Sequence, residues 1–155
     1  MEREECTPVS VSRRIEAPSA HIFQILADPE RHPEFDGSGM LRPGASNTVI
    51  VGTGDVFVTR MYFEAMGDYE MHNRIVVFEA DRSIAWEPGN AELATNGSRW
   101  RFDLTPDGAT ATVVTETYDC TNSPDEVRRA VDNGRAWLPG MTETLERLDR
   151  LCATR

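Results

Sequence analysis

Two side chains near the end of the sequence, Glu116 and Tyr118, carry groups that could exchange a proton with a bound molecule. They lie in the segment ATATVVTETYDC (109–120), whose alternation and β-branched residues predict a strand. Residues two apart share a face of a strand, and this face also carries Val114 and Cys120, so we expect it to point inward. A carboxyl group there would lose water, its pKa would rise towards neutrality, and it could act as a general acid or base.

The same glutamate also has an ordinary structural interpretation. An arginine from a neighbouring strand or from the C-terminal helix could form an ion pair with Glu116 and lower its pKa. Ion-pair networks perturb carboxylates as active sites do, and the structural role is the more common of the two. The two interpretations differ in whether a cation reaches the carboxylate.

Large apolar side chains recur on one face of the other predicted strands. In a filled domain they would be core, but if the sheet and the helix do not close completely, the same face lines a cavity for a planar ring. His72 and Asn73 are adjacent, so only one of them points inward, and the sequence leaves that choice open. The candidate ligand-binding residues are Phe57, Thr59, Met61, Phe63, Asn73, Trp86, Trp100, Phe102, Trp137 and Met141.

Other kinds of catalytic centre leave no signature in the sequence. The three histidines, His21, His32 and His72, stand in no HxH or HExxH spacing, and no CxxC occurs, so we predict no metal site. There is no GxSxG motif. All 16 basic residues are arginine, which excludes a lysine Schiff base and a phosphate loop that needs lysine. We expect no cofactor.

Charge and length limit the partners. The net charge of −10 argues against nucleic acid or an anionic membrane, and no apolar run is long enough to cross a bilayer. The 155 residues predict a single domain (1–155) in which residues 1–8 form a flexible N-terminal tail. The expected partner is a small apolar or aromatic ligand, and a homodimer is left open.

The first residues and the cysteines bear on the compartment. The segment MEREECTPVS is charged and does not have the apolar stretch of a secretory signal. Three cysteines cannot all pair within one chain, and we expect Cys6, Cys120 and Cys152 to be free thiols in a reducing environment. These features predict a cytoplasmic protein.

The element that must position the candidate site is a long helix over residues 123–152. Apolar residues or glycine recur there in alternating steps of three and four, which keeps one side of a helix apolar. Ser123 suits the N-cap and Pro124 the first helical position. Pro139 interrupts the hydrogen-bond ladder, so we expect a kink or a short break near residues 137–140.

The rest of the chain reads as strands, apart from two short helices near the start. Alternation predicts a first strand over residues 9–16, and two short helices follow it over 19–28, with Ser19 as a cap, and over 29–35. A strand fragment at 48–51 and a meander over residues 55–120 come next, with a bulge at 76–78. Helices segregated from strands predict an α+β fold with an antiparallel sheet of six to seven strands.

Three phrases in this order resemble the START-like (SRPBCC) superfamily, and within it the bacterial polyketide cyclase/dehydrase-like group. They are APSAHIFQILADPERHPEFDGSG (17–39), NRIVVFEADRSIAWEP (73–88) and RWRFDLTPDGATATVVTETYD (99–119). The resemblance implies a helix-grip (Bet v 1/START-like) fold, in which a curved antiparallel sheet grips the C-terminal helix around an apolar cavity. A glycine-rich loop of the plant members is only partly matched by Gly52 and Gly54.

Two functions are implied by this resemblance. One is a cofactor-independent cyclase, aromatase or dehydratase that acts on an aromatic or polyketide-like molecule by general acid/base catalysis. The other is a non-catalytic carrier of a hydrophobic ligand or a regulatory binding module. An acid/base pair that faces the cavity would favour the enzyme, and a wholly apolar cavity would favour the carrier.

Overall fold

The computed structural model describes residues 6–153. Its sheet is an antiparallel meander, and the first strand of the chain pairs with the last strand at one edge of the sheet. The strand order is β1-β7-β6-β5-β4-β3-β2. The short β2 was not predicted, whereas the bulge is confirmed by a register shift between Ile75 and Val77. The strands are β1 Val9–Ile15, β2 Leu41–Arg42, β3 Val56–Phe63, β4 Gly67–Glu79, β5 Ser83–Gly89, β6 Arg99–Pro106 and β7 Thr112–Asp119.

The helices lie at the two ends of this sheet sequence, as predicted. After β1 come α1 (Ser19–Leu26), a 3-10 turn (Pro29–Arg31) and α2 (His32–Phe35). After β7 come α3 (Asp125–Ala130), a 3-10 segment (Asp132–Trp137) and α4 (Leu138–Ala153). The buried face of α4 packs against the sheet, so the predicted α+β arrangement of an antiparallel sheet around a C-terminal helix is confirmed.

The break in the C-terminal helix is not where Pro139 predicted it. The chain leaves helical geometry at Asn133 and Gly134, whose φ angles are 54° and 95°. Gly134 also lies against the Tyr118 ring, where a Cβ would come within 2.9 Å of Cδ1, so the break needs a glycine for two reasons. Pro139 instead occupies the first turn of α4, where its missing N–H removes no helical hydrogen bond.

Three smaller expectations also differ from the structure. Residues 48–51 form no strand. Ser123 makes no capping hydrogen bond, and Pro124 precedes the first residue of α3. Ser19 is the first residue of α1 rather than its cap, and its hydroxyl lies 3.0 Å from the Thr112 hydroxyl on β7. Thr112 therefore ties α1 to the sheet, a long-range contact that no local pattern encodes.

The core is filled at one end of β7 and α4 and open at the other. Along β7, Val114 packs in the main apolar core, whereas Glu116 and Tyr118 line an internal cavity. Along α4, Leu145 and Leu148 belong to that core, whereas Met141 lies at the cavity. The core residues below the cavity include Ile15, Ile22, Leu26, Ile75, Ile84 and Cys152.

The predicted N-terminal tail, residues 1–8, falls largely outside the described residues. Of its described part, Cys6 packs beside the buried Cys120, with their sulfur atoms 3.6 Å apart. Cys152 is buried in the main core. Cys6 and Cys120 are free thiols in the structure.

The loop after α2 touches α4 through two glycines. A Cβ on Gly37 would lie 2.4 Å from the Gly140 carbonyl oxygen, a backbone atom that cannot rotate away. We expect Gly37→Ala to push this loop off α4 and to lower the free energy of unfolding by about 1–3 kcal/mol, as overpacking does elsewhere. Denaturant unfolding measures this loss. Gly52→Ala is the control because its added Cβ would meet open space, so it should cost less stability than Gly37→Ala. Gly39→Ala is unsuitable as a control because the φ angle of Gly39 is positive. An equal loss for Gly37→Ala and Gly52→Ala would contradict the close contact.

Candidate functional site

The cavity has a volume of about 400 Å³ and lies between the inner face of the sheet, α2 with its following loop, and the first half of α4. The structure brings all of the sequence-predicted site residues together at this one cavity. Glu116 and Tyr118 line it from β7. The ten predicted ligand-binding residues line it as well: Phe57, Thr59, Met61, Phe63, Asn73, Trp86, Trp100, Phe102, Trp137 and Met141. Their roles remain predictions.

Two groups of aromatic rings form the closed wall of the cavity. Trp86 is the centre of one group, with ring centroids 5.3 Å from Phe57 and 5.9 Å from Phe102. Trp100 and Tyr118, paired across β6 and β7, have centroids 4.6 Å apart and form the other group with Trp137. Mutual ring contacts hold these flat surfaces in place, and flat apolar surfaces suit a planar ligand.

The register of β3 and β4 decides between His72 and Asn73. Asn73 is opposite Phe57 and is buried at the cavity, whereas His72 points to the other face. The Asn73 amide nitrogen donates to the Phe57 carbonyl and lies 3.2 Å from the Thr59 hydroxyl oxygen. Asn73 and Thr59 are therefore a linked polar pair within a largely apolar lining.

Glu116 is the most unusual group in the cavity wall. Its side chain is buried, at 5% relative exposure, and its Oε1 atom has no hydrogen-bond partner. Burial, and next the negative charge of Asp36, raise its pKa well above the ordinary value. Among residues 6–153 no ion pair joins Glu116 to an arginine, so the structural alternative lacks its cation. The raised pKa favours the neutral, proton-donating form of this carboxyl group.

Asp36 supplies a second carboxyl group at the same cavity. It follows α2 directly, and the Ser38 hydroxyl donates to its Oδ2 atom. Helix α4 fixes the loop: the Gly37 N–H donates to Thr144 Oγ1 at 2.8 Å, and Arg147 donates to the Asp36 carbonyl oxygen at 2.7 Å. The cavity therefore holds two carboxyl groups in different surroundings, one buried and one at a polar loop.

Tyr118 and Trp137 add polar atoms beside Glu116. Burial raises the pKa of the Tyr118 hydroxyl, so it is a hydrogen-bond donor at neutral pH. The Trp137 indole N–H is near enough to offset part of this rise, but no hydrogen bond of good geometry joins the two side chains. The indole N–H is consequently a buried donor without a partner.

His32 is a cavity residue that the sequence did not identify as part of the site. It is buried, its ring stacks on Trp86 at 5.6 Å between centroids, and its Nε2 atom lies 2.8 Å from the Leu26 carbonyl oxygen. Burial lowers its pKa, so the ring is neutral, and donation from Nε2 leaves Nδ1 as an acceptor. The helix that carries it has only four residues, too few for a periodic pattern to assign it a face.

The cavity wall is rich in methionine, and of its methionines only Met61 and Met141 were predicted from the sequence. Phe63 and Met66 lie at the open end of the cavity, where they are 46% and 65% exposed. Thioether side chains are flexible and adapt to ligands of different shape. The methionines that line the cavity are Met40, Met61, Met66, Met71 and Met141.

A second groove, of about 410 Å³, lies along β2 and the loop over residues 43–46 that follows it. Its charged side chains, Glu30, Arg42 and Arg60, are exposed, and no buried ionisable group lines it. The aromatic cavity is the better candidate site because it combines apolar walls with buried, unpartnered polar atoms.

Two features that residues 6–153 do not contain bear on the class of site. No group of three or more histidine, cysteine, aspartate or glutamate side chains in this range is placed to hold a metal ion. No helix in the described part of the chain is long and apolar enough to span a membrane.

The curated relatives come from mycobacteria. The uncharacterized protein Rv0088 of Mycobacterium tuberculosis strain H37Rv is 34% identical over 114 residues, which is 72% of this chain and 48% of that protein. The uncharacterized protein MT0096 of strain CDC 1551 is 33% identical over the same length. The chain thus spans about half the length of the curated relatives it matches.

Solved structures share the fold at low sequence identity. The Polyketide_cyc-like protein Cgl2372 of Corynebacterium glutamicum has 19% identity and a TM-score of 0.63, over 96% of this chain and 93% of that one. Protein CV1439 of Chromobacterium violaceum has 15% identity and a TM-score of 0.69, over 96% and 99%.

The family comparison covers almost all of the described chain. The model of the family described as polyketide cyclase / dehydrase and lipid transport matches residues 7–153. Its span includes every strand and helix of the structure and every residue of the cavity wall. The chain therefore belongs to this polyketide cyclase/dehydrase family of the START-like superfamily, and its curled sheet with a long C-terminal helix is the helix-grip fold.

Proposed function

We propose that this protein binds a small aromatic or polyketide-like molecule in the cavity and catalyses a cofactor-independent acid/base reaction on it, a cyclisation, aromatisation or dehydration. One observation carries the proposal: a buried carboxyl group, Glu116, faces an aromatic cavity without a cation or a hydrogen-bond partner at Oε1. Burial of an unpartnered carboxyl group lowers the stability of the folded protein. Groups of this kind are common at sites where a proton is transferred.

Dehydration of a β-hydroxy ketone illustrates the chemistry. The Asp36 carboxylate removes the proton between the carbonyl and the hydroxyl-bearing carbon, and the electron pair of that C–H bond forms the C=C bond. The C–O bond breaks as the Glu116 carboxyl group gives its proton to the leaving oxygen, which departs as water. A proton then passes from Asp36 back to Glu116. No electrons are gained or lost, so the reaction needs no redox partner.

A non-catalytic carrier is the second candidate, and the methionine-rich opening favours it. Flexible thioethers would accept apolar chains of different shape, and the family description includes lipid transport. In that case Glu116 would only anchor a ligand by a hydrogen bond. The two candidates differ in whether Glu116 is needed for turnover or only for affinity.

We expect Glu116→Gln to lower the rate of dehydration of an aryl β-hydroxy ketone by about 10²–10⁴-fold, as loss of a general acid does. The amide has nearly the same shape but no acidic proton, so the fold and the affinity should remain. The rate is measured from the increase in absorbance of the conjugated enone product. Affinity is measured from the rise in melting temperature when substrate is added.

The matched control is Glu79→Gln, which makes the same carboxyl-to-amide change at an exposed position at the end of β4. It should turn over the ketone like the parent protein. If Glu116→Gln binds the ketone and dehydrates it at the parent rate, or if the parent binds it without turnover, the enzyme is rejected in favour of the carrier.

A further inference from the structure

The described side chains that line the cavity include two carboxyl groups but no cation. No arginine within residues 6–153 lines it, although the chain has 16 basic residues, all of them arginine. The charged or ionisable groups at its wall are Asp36 and Glu116, the tyrosines Tyr69 and Tyr118, and His32, whose ring is neutral because burial lowers its pKa. An anion that entered this cavity would meet carboxyl groups and no cation.

Arg147 does not change this balance. Its guanidinium donates to the Asp36 carbonyl oxygen and to Glu143 Oε1 on the same helix, and it does not line the cavity. It is already engaged with oxygen atoms, so a ligand carboxylate would have to displace one of them. Burial of an uncompensated carboxylate is strongly unfavourable in general.

The unpartnered polar atoms indicate what a ligand would bring instead. Trp137 Nε1 is a buried N–H without a partner, and an indole nitrogen can only donate. Glu116 Oε1 is also unpartnered, and a protonated carboxyl group offers an O–H. Both atoms are buried in the cavity wall, and a small rotation of the two side chains would turn them towards a ligand. Ligand oxygen atoms would then satisfy both donors, whereas a ligand ammonium group would leave the indole N–H unpaired.

We infer that the cavity selects its ligand by charge: the polar end that reaches Glu116 and Trp137 is an uncharged oxygen acceptor, such as a ketone or a hydroxyl group, and free carboxylates and phosphates are rejected. This inference deepens the proposed function, on which it rests, by naming the substrate class. It excludes free fatty acids and acyl phosphates, and it requires that an acidic precursor arrive with its carboxyl group masked as an ester, a thioester or an amide.

The test uses three probes with the same flat skeleton: naphthol, naphthoic acid and naphthylmethylamine, substituted at the same ring carbon. At pH 7 they are neutral, anionic and cationic. Their dissociation constants for the full chain are measured by calorimetry. We expect naphthol to bind at least about tenfold more tightly than naphthoate, and more tightly than the amine, a difference of about 1.4 kcal/mol or more.

Variants locate the selection in the cavity. Asp36→Asn removes one negative charge, so it should reduce the ratio of the naphthoate to the naphthol dissociation constant several-fold. The exposed Glu79→Gln should leave this ratio unchanged. The inference is overturned if naphthoate binds as tightly as naphthol, or if the amine binds more tightly than naphthol. Either result would leave the proposed acid catalysis by Glu116 unaffected. If none of the three probes binds, the proposed aromatic-binding function fails together with it.

Discussion

Leu148→Ala should lower the free energy of unfolding by about 2–5 kcal/mol, the usual loss for a leucine truncated in a core. Leu148 has 0% exposure and lies on α4 in the same apolar cluster as Ile15 and Val114 on the sheet. It lies below the cavity, where the helix and the sheet close fully, so the neighbouring side chains have little room to fill the void. Denaturant unfolding measures the change as a shift in midpoint.

The control for this experiment is on the outer side of the same helix. Thr142 is exposed, and its hydroxyl donates only to the Leu138 carbonyl oxygen one turn earlier. Thr142→Ala should change stability by no more than about 0.5 kcal/mol. Losses well under 1 kcal/mol for both Leu145→Ala and Leu148→Ala would contradict the gripped helix.

The second large effect is a pH dependence of stability that Glu116 introduces. Its pKa is raised in the folded protein, so as the pH rises above the ordinary value of 4.5 the unfolded chain releases this proton first. The folded state then binds one proton more than the unfolded state, and the free energy of unfolding falls by up to about 1.4 kcal/mol per pH unit. The fall ends when the pH passes the folded pKa. The stabilisation that the protonated Glu116 contributes is therefore complete below pH 4.5, and it is lost as the pH rises through the folded pKa.

Glu116→Gln has no proton to release and provides the comparison. The difference in stability between the variant and the parent should increase in favour of the variant as the pH rises above 4.5. Arg135 lowers the pKa of Asp132, and Arg147 lowers that of Glu143, so these two carboxylates make stability rise with pH. The parent and the variant share this effect, and it cancels in the difference between them. A difference that stays constant with pH would show that Glu116 is not desolvated.

Strand parity predicted the cavity wall well because a strand repeats every two residues. Once one side chain of β7 points inward, Glu116 and Tyr118 follow, and the antiparallel pairing extends the assignment across the sheet. The choice between His72 and Asn73 was beyond this reasoning, since the VVF stretch (76–78) does not alternate and blurs the parity of β4. It took the pairing of Asn73 with Phe57 to decide it.

The helix break and His32 could not be read from local sequence for a different reason. Proline is a strong helix breaker in general, so the sequence predicted the break at Pro139. The deciding interaction is the contact of Gly134 with Tyr118, and it exists only after β7 and the helix meet. His32 likewise gains its place from contacts with Trp86 and with the Leu26 carbonyl, which are set by tertiary packing.

An NMR titration of the Glu116 carboxyl carbon shows whether this group is a neutral acid in contact with a ligand. The signal is assigned by its loss in Glu116→Gln, and it is followed with pH in the absence and presence of naphthol. We expect a midpoint clearly above 4.5 that moves upward with naphthol, because a ligand oxygen that accepts a hydrogen bond from the carboxyl O–H favours the neutral form. A midpoint at or below 4.5 that naphthol does not move would contradict it.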